Sequence, residues 1–301
     1  MKYITQNTKV LIVGLGLMGG SYAKALTRKG IEVRAVTKEQ KDLDFALQNG
    51  FLSAGSTTPE KALFDWADVV VLALYPHVLL NWTAENAALF HPGCLITDVT
   101  GVKESIVTAM QNLMPPGVEF VSAHPMAGRE RSGVAFSDDR VFAGANYIVV
   151  PTEKNTEWGI DFCTELGEVL GFSRISQLTA AEHDRMIAFL SQLTHCIAVP
   201  LMCATDVPGL ETYTGDSFRD LTRIARINDD MWSELFLCNR PALLSAIDKF
   251  SSQLETLRTA LCNGDREKLR KMMRISSAQR EKFDKPKTQD VLWTQKEDPS
   301  L

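Results

Sequence analysis

The stretch that decides the fold is Lys9-Val10-Leu11-Ile12-Val13-Gly14-Leu15-Gly16-Leu17-Met18-Gly19-Gly20. Its apolar run predicts a buried strand, its spaced glycines predict a tight turn, and the residues that follow have the composition of a helix. In this context Gly14 permits the turn, Gly16 leaves room for a pyrophosphate, and Gly19 lets the helix pack on the strand. The segment therefore predicts a dinucleotide site at the helix N-terminus, with contacts from Gly14, Gly16, Leu17, Met18 and Gly19.

Length and composition indicate a soluble protein with two domains. The chain has 301 residues, of which 45% are hydrophobic and 23% charged. Its formal net charge of -5 argues against a nucleic-acid partner. The N-terminus lacks a signal peptide, and we expect no apolar stretch of the roughly 18 residues that cross a bilayer. The six cysteines form no metal-binding spacing, so we expect reduced thiols, no metal, no membrane partner and a cytoplasmic location.

Strands and helices alternate through the first half of the chain. Further strands are predicted at residues 31–37, 66–74, 94–98, 119–123 and 146–151, with helical segments between most of them. This order predicts an α/β fold with a Rossmann-type, doubly wound parallel sheet. The alternation ends near residue 177. We therefore expect a dinucleotide-binding domain over residues 1–177, followed by an all-α C-terminal domain over residues 178–301.

The end of the second predicted strand bears on the choice of cofactor. An acidic residue there accepts hydrogen bonds from the ribose of NAD, whereas Thr37 and Lys38 occupy this place. A hydroxyl and a cation favour the 2′-phosphate of NADP, so we expect NADP to be slightly preferred over NAD. The alternatives are that Lys38 is only solvated and that Glu39 turns inward.

Polar residues follow two of the predicted strands at the edge where α/β sheets bind ligands. Asp98 ends one strand, and His124 follows another, with Pro125 and cationic residues close behind. An imidazole with an ordinary pKa of about 6.5 is mostly neutral in the cytosol and can accept a proton from a hydroxyl that loses hydride. His124 is therefore the first catalytic candidate, although a structural role is the alternative.

The second half begins with a predicted helix whose capping box pairs Thr179 with Glu182. On this helix Ser191 and His195 are four residues apart and share a face. His183, beside Asp184, is interpreted as half of a structural pair. Further on, Arg219, Arg223 and Arg226 recur at helical spacing, and a helix would align them as a cationic stripe for an anion.

Several motifs together resemble those of one known family. They are the glycine loop with Ser21, the run Asp98-Val-Thr-Gly-Val-Lys103, the run His124-Pro-Met-Ala-Gly128, the run Ser217-Phe-Arg-Asp220-Leu-Thr-Arg223, and Met231-Trp232. In this order they resemble the prephenate and arogenate dehydrogenases of tyrosine biosynthesis. The resemblance implies an NAD(P)-dependent oxidative decarboxylation that leaves a 4-hydroxyphenyl product.

The resemblance also implies roles for individual residues. His124 would bind the 4-hydroxyl group and act as base, Arg223 would bind a substrate carboxylate, Asp220 would support the site, and His195 would line it. Family members commonly carry serine where this chain has Gly101, so Thr100 or a water replaces that hydroxyl, or the contact is not needed. The remaining site predictions are Arg129, Glu130 and Trp232 for the substrate and Asp98 for the cofactor.

Other functions stay open at this level. Prephenate is the expected substrate, arogenate is the first alternative, and a β-hydroxyacid dehydrogenase of similar architecture is the second. A nucleotide-sensing protein without catalysis is the non-enzymatic alternative, which Gly101 alone supports. The amphipathic residues 241–280 predict a helical surface that forms a homodimer. The expected partner is therefore a small dicarboxylate and a second copy of the chain.

Overall fold

The secondary structure comes from a computed structural model that describes residues 2–128 and 131–284. The strands are β1 Lys9–Val13, β2 Glu32–Val36, β3 Ala54–Ser56, β4 Val69–Leu72, β5 Leu95–Asp98, β6 Glu119–Phe120, β7 Ser122–Met126, β8 Asn146–Val150 and β9 Arg174–Gln177. The α-helices are α1 Leu17–Arg28, α2 Gln40–Gln48, α3 Lys61–Trp66, α4 Pro76–Asn86, α5 Val107–Leu113, α6 Glu157–Leu170, α7 Ala180–Ile187, α8 Leu193–Cys203, α9 Asp216–Thr222, α10 Asp229–Cys238, α11 Arg240–Cys262 and α12 Arg266–Glu281.

The first six strands form one parallel sheet in the order β3-β2-β1-β4-β5-β6. The chain runs outward from β1 in one direction and then resumes on the other side of β1 with β4. This reversal opens a crevice beyond the carboxyl ends of β1 and β4, where such sheets bind ligands. The predicted Rossmann-type α/β fold, followed by a helical C-terminal region, is confirmed.

Both faces of the sheet are covered, which explains the unbroken apolar runs in its strands. Because successive side chains of a strand point to opposite faces, Val10 and Ile12 enter the core beneath α1 and α6. Leu11 and Val13 enter a second core, which includes residues of α3, α4 and α5. The strand that leads into the glycine loop is thereby packed on both of its faces.

The strand that carries His124 differs from the prediction. A single parallel strand was expected over residues 119–123, but the chain leaves the main sheet after β6 and enters a second sheet in the order β7-β8-β9. In this sheet β7 pairs antiparallel with β8, and His124 lies opposite Ile148. His124 is therefore held within a strand rather than in the loop that follows one.

The helical part begins as predicted. Thr179 caps α7, and its capping box with Glu182 is complete. A π-helical turn over Ala188–Gln192 joins α7 to α8 without a break. Pro200 lies inside α8 and does not end it, because the helix continues to Cys203.

The same helical run corrects the expectation that no segment is long and apolar enough to cross a membrane. Among the described residues, one helical run, Ala180–Cys203, is long and apolar enough to cross a membrane, with a mean hydropathy of 1.7 over its most apolar stretch. This finding rests on the length and the composition of the helix alone, and core helices of soluble proteins can be equally long and apolar. The segment carries the buried His183 and Asp184, whose partners lie on several other elements.

The arginine stripe is also corrected. The α-helix α9 ends at Thr222, and a 3₁₀ turn over Arg223–Ala225 follows it. Arg219 therefore lies on α9, where it bonds Asp216 and the carbonyl of Thr214. The three arginines do not share one continuous helical face, because the geometry changes at Arg223.

The chain divides into two compact units, Met1–Ile247 and Asp248–Leu301. The first contains both sheets and the helices through α10. The second holds the rest of α11 and α12, joined by a turn in which Gly264 has a φ of 63° and Asp265 caps α12. The predicted domain division at residue 177 stays a prediction.

Alanine at Gly19 is expected to destabilise the protein, whereas alanine at Gly16 is not. A Cβ at Gly19 would lie 2.0 Å from the carbonyl oxygen of Gly14, whereas a Cβ at Gly16 would meet no atom of the described residues within 4 Å. We expect Gly19→Ala to lower the free energy of unfolding by about 1–3 kcal/mol, as overpacking does. Urea unfolding of both variants tests this, and equal midpoints would contradict it.

Candidate active site

The glycine loop has the geometry of a phosphate cradle. Gly14 has a φ of 97°, and a Cβ there would lie 2.5 Å from the carbonyl oxygen of Ala73. The space in front of Gly16 is open, and α1 begins at the next residue, so its free N–H groups face that space. Gly14, Gly16, Leu17 and Met18 are partly exposed, whereas Gly19 is buried against the turn. These residues fit a dinucleotide pyrophosphate.

The residues at the end of β2 have different exposures. Thr37 is buried, and its N–H donates to the carbonyl of Ser56 at 3.1 Å. Lys38 is exposed. The cation is thus accessible at the edge where the adenosine ribose is expected. Its contact with a cofactor stays a prediction.

Asp98 and Lys103 form a fully buried ion pair at the carboxyl end of β5, with the lysine Nζ 2.8 Å from the Asp98 Oδ2. The Asp98 carboxylate also accepts hydrogen bonds from the Ser122 hydroxyl at 2.6 Å and the Ala123 N–H at 3.1 Å. Lys103 donates further to the Ala123 carbonyl at 2.7 Å. The pair therefore fixes the start of β7, next to His124, against β5.

This arrangement gives Asp98 and Thr100 partners other than those predicted. Thr100 donates its N–H to Asp98, and its hydroxyl lies between the Asp98 carboxylate and the Val102 carbonyl while accepting from Lys103. The structure thus places both residues in the buried network beneath His124. Direct roles of Asp98 toward the cofactor and of Thr100 toward the substrate stay predictions.

A chain of hydrogen bonds runs from His124 to a carboxylate. The His124 Nδ1 lies 2.8 Å from the His183 Nε2, and the His183 Nδ1 lies 2.7 Å from the Asp184 Oδ1. Because a carboxylate only accepts, His183 donates through Nδ1 and its Nε2 accepts from His124. His124 then carries its proton on Nδ1, which leaves its Nε2 free to accept a proton. The arrangement sets the tautomer that a general base needs.

The Asp184 carboxylate is anchored by the loop that follows β5. It accepts the N–H groups of Lys103 and Glu104, both at 2.9 Å. The Asp184 carbonyl accepts from the Asn239 side chain at 2.9 Å, and Asn239 also donates to Gln192 at 2.7 Å. Elements far apart in sequence therefore hold Asp184 in place.

The charges of this cluster follow from burial and neighbours. Burial, His183 and Lys103 together hold the pKa of His124 well below 6.5, so its imidazole is neutral. Burial also lowers the pKa of His183, against the opposing effect of Asp184. Burial works against the charge of Asp98, but Lys103 and the hydrogen bonds outweigh it and keep the pKa of that carboxyl low.

Gly101 lies beside the Nε2 edge of the His124 ring. A Cβ at this position would stand 3.7 Å from the His124 Nε2 and 3.7 Å from the Leu235 Cδ2, which is ordinary contact. A serine hydroxyl would fit here within reach of the imidazole. The departure from the family pattern therefore lies beside the Nε2 of His124, the predicted base.

His195 and Trp232 form an aromatic pair in the helical region. Their rings stack with centroids 3.6 Å apart and an angle of 31°. The His195 Nδ1 donates to the Ser191 carbonyl at 2.9 Å, so these residues share a helix face as predicted. Trp232 lies on α10, the helix that also carries Leu235 beside Gly101.

The predicted anion-binding residues lie at the end of α9. Arg223 begins the 3₁₀ turn that packs against α8, the helix of His195, and Asp220 lies on α9. Both side chains are exposed. Their convergence with His124 on one substrate stays a prediction. Arg129 and Glu130, predicted to bind substrate, lie outside the described residues.

Sequence reasoning did not predict the contact of His183 with His124, and it did not single out Lys103. The pair of His183 and Asp184 was interpreted as structural because adjacent residues at a helix start reveal nothing of their tertiary partners. Lys103 is the last residue of the run Asp98-Val-Thr-Gly-Val-Lys103, and a lysine five residues after an aspartate at a buried strand end is the signal that indicates an ion pair. The contact between His183 and His124 spans 59 residues, and no local pattern indicates it.

Loss of the Lys103 charge is expected to destabilise the protein strongly. In Lys103→Met the buried Asp98 carboxylate loses its ion-pair partner, which costs about 3–5 kcal/mol. The matched control is Lys61→Met, because Lys61 pairs with Asp65 at the surface and such pairs contribute about 0–1 kcal/mol. Urea unfolding measures both, and a loss in Lys103→Met no larger than in the control would contradict the prediction.

Comparison with known proteins identifies the family. Residues 22–171 match the family model described as prephenate dehydrogenase, nucleotide-binding domain, and residues 179–275 match its dimerization domain. The chain is 26% identical to the prephenate dehydrogenase of Bacillus subtilis, covering 86% of this chain and 72% of that one, and 30% identical to the cyclohexadienyl dehydrogenase of Zymomonas mobilis, covering 85% and 89%. A crystal structure of Aquifex aeolicus prephenate dehydrogenase with hydroxyphenyl propionate and NAD+ is 28% identical, with a TM-score of 0.85 over 94% of this chain and 100% of that one. The chain belongs to the prephenate dehydrogenase family.

Proposed function

We propose that the protein converts prephenate to 4-hydroxyphenylpyruvate by oxidative decarboxylation in tyrosine biosynthesis. When bound, NAD(P) accepts the hydride from the ring carbon that bears the 4-hydroxyl group. The observation that carries the proposal is the hydrogen-bonded chain from Asp184 through His183 to His124, at 2.7 and 2.8 Å. It provides a neutral base in the same unit as the dinucleotide cradle.

His124 is the base of the proposed reaction. Its Nε2 accepts the proton of the substrate hydroxyl as hydride leaves the same carbon, which gives a carbonyl there. The ring carboxylate then departs as CO₂, the electrons of its bond make the ring aromatic, and the ring oxygen takes the proton back from His124 to give the 4-hydroxyl group of the product. His183 and Asp184 hold the imidazole in the accepting tautomer, so they act as positioning residues.

We assign the substrate's remaining groups to the helical region. Arg223 binds a carboxylate, for which a planar guanidinium is well suited, and Asp220 supports it. Trp232 and His195 form an aromatic wall for the ring. Arg129 and Glu130, which follow His124 closely in the sequence, complete the proposed substrate-binding set. Thr100 and Asp98 act through the buried network that fixes β7.

The cofactor is NAD(P), and we propose a slight preference for NADP. Support comes from the exposed Lys38 at the end of β2, where a cation attracts the 2′-phosphate. The open space at Gly16 accommodates the pyrophosphate of either cofactor.

We further propose a homodimer in the cytoplasm. The match to a dimerization domain over residues 179–275 supports the dimer. Apolar side chains of the π-helical turn and of α10 are also left uncovered by the described residues, since Phe189 is 56% and Leu237 68% exposed. A partner copy on these helices would bury that surface.

A direct assay tests the reaction. We expect purified protein with prephenate to reduce NADP and NAD, with a modestly higher kcat/KM for NADP, and to release CO₂. Reduced cofactor is followed by absorbance. Turnover of arogenate alone would make the protein an arogenate dehydrogenase, turnover of β-hydroxy acids alone would indicate the second alternative, and cofactor binding without any turnover would indicate a sensor.

Replacing His124 is expected to abolish most of the activity. His124→Asn removes the base and should lower kcat by about 10²–10⁴-fold, with cofactor affinity little changed. The control is His91→Asn, because His91 bonds the Ala67 carbonyl away from the site. A near-normal rate in His124→Asn would remove this residue from the mechanism.

The pH profile of the wild type should follow the charge state of the same residue. Because the folded protein holds the pKa of His124 well below 6.5, the base stays neutral as the pH falls through that value. The acid limb of kcat/KM is therefore expected below pH 6.5. An acid limb above pH 6.5 would contradict the assignment.

A further inference from the structure

One contact joins the helix of the aromatic wall to the nucleotide-binding part of the chain. The Glu234 carboxylate on α10 accepts the backbone N–H of His77 at 2.5 Å through Oε1. Its Oε2 accepts from the His77 Nδ1 at 2.7 Å. The two residues are 157 positions apart, and Glu234 is mostly buried, with 17% of its side chain exposed.

The contact is favourable because Glu234 caps a helix. His77 is the second residue of α4, whose first N–H groups have no partner within the helix. Tyr75, at the N-cap, makes no side-chain capping bond, so Glu234 supplies the missing acceptor. A carboxylate at this end also interacts favourably with the helix dipole.

The position of Glu234 on α10 links this cap to the proposed substrate site. Trp232, two residues before it, stacks on His195. Leu235, the next residue, borders the place beside Gly101 where the His124 Nε2 lies. Any shift of α10 away from α4 therefore moves both the aromatic wall and the apolar border of the catalytic nitrogen.

The other end of the contact lies at the cofactor edge. The helix α4 follows β4, and Ala73 and Leu74, which lie between them, pack against the glycine loop. A Cβ at Gly14 would lie 2.5 Å from the Ala73 oxygen and 3.0 Å from the Leu74 Cδ2. The Glu234 contact thus fixes α10 to the segment that also shapes the dinucleotide cradle.

We propose that Glu234, together with His77, is a positioning residue that holds Trp232 on His195 and Leu235 at the place beside Gly101 that the His124 Nε2 also borders. The inference rests on the proposed function, because it concerns the binding of that substrate. Glu234 touches neither reacting atoms nor cofactor in this proposal. Its loss should impair substrate binding and leave cofactor binding intact, because backbone hydrogen bonds from Gly14 to Val36 and from Ala73 to Val13, both at 2.8 Å, hold the glycine loop without Glu234.

The test separates these two steps. In Glu234→Ala we expect the KM for prephenate to rise about tenfold, the effect of losing a charge-assisted hydrogen bond. We expect kcat to fall less than threefold, and the Kd of the cofactor for the free enzyme, measured by fluorescence titration, to change less than twofold. Glu234→Gln should be intermediate, because its amide oxygen still accepts the His77 N–H.

Two further sets of variants separate the proposed role of Glu234 from a general loss of structure. Glu85→Gln, an exposed glutamate on the same helix α4, should match the wild type in every measurement. His77→Ala should raise the KM for prephenate less than Glu234→Ala, and the double variant should behave like Glu234→Ala alone, because both act through one contact. An additive double variant would overturn the proposal.

Hydrogen exchange makes the inference independent of the reaction. Amides of residues 229–238 should exchange faster in Glu234→Ala than in the wild type, whether or not prephenate is turned over. If the wild type does not turn over prephenate but Glu234→Ala still exchanges faster than the wild type, only the proposed function is overturned. An active Glu234→Ala with unchanged KM and unchanged exchange would overturn the role of Glu234 alone.

Discussion

The rest of the site depends on the carboxylate of Asp184. Its oxygens accept the N–H groups of Lys103 and Glu104 and one imidazole hydrogen from His183. Two backbone donors fix the carboxylate relative to the loop after β5, and the imidazole transmits that position to His124. Because a carboxylate only accepts hydrogen bonds, the contact with Asp184 keeps the proton of His183 on Nδ1. The imidazole of His124, the proposed base, is thereby oriented and given the tautomer with a free Nε2 lone pair.

The departure of the chain from the main sheet serves the same geometry. After β6 the backbone crosses to a second sheet, and the Asp98–Lys103 pair holds the crossing through Ser122 and Ala123. A buried ion pair is costly to form because both charges lose their hydration. The pair contributes here by fixing the start of β7, through Ser122 and Ala123, against β5. It places His124 in a paired strand, where the backbone is far more rigid than in the loop that the sequence suggested.

The sequence was most informative where the determinants are local. The glycine loop, the capping box of Thr179 and Glu182, and the spacing of Ser191 and His195 each depend on residues within a few positions of one another. The contact between His124 and His183 and that between Glu234 and His77 depend instead on how distant segments pack. The arginine stripe failed for a related reason, since the periodicity of Arg219, Arg223 and Arg226 does not reveal that the helix tightens at Arg223.

The helical run Ala180–Cys203 has two different surfaces, one with buried polar contacts and one that is apolar and exposed. Its first turns carry His183 and Asp184, which are buried and paired, and Gln192 bonds Asn239 and the Leu235 carbonyl. Groups of this polarity would be costly in hydrocarbon unless they kept those partners. Yet only 28% of the most apolar stretch of Ala180–Cys203 is buried among the described residues. A helix with polar contacts on one side and open apolar surface on the other is suited to a protein interface, which agrees with the dimerization domain that this region matches. The proposed dimer therefore accounts for the hydrophobicity of this helix.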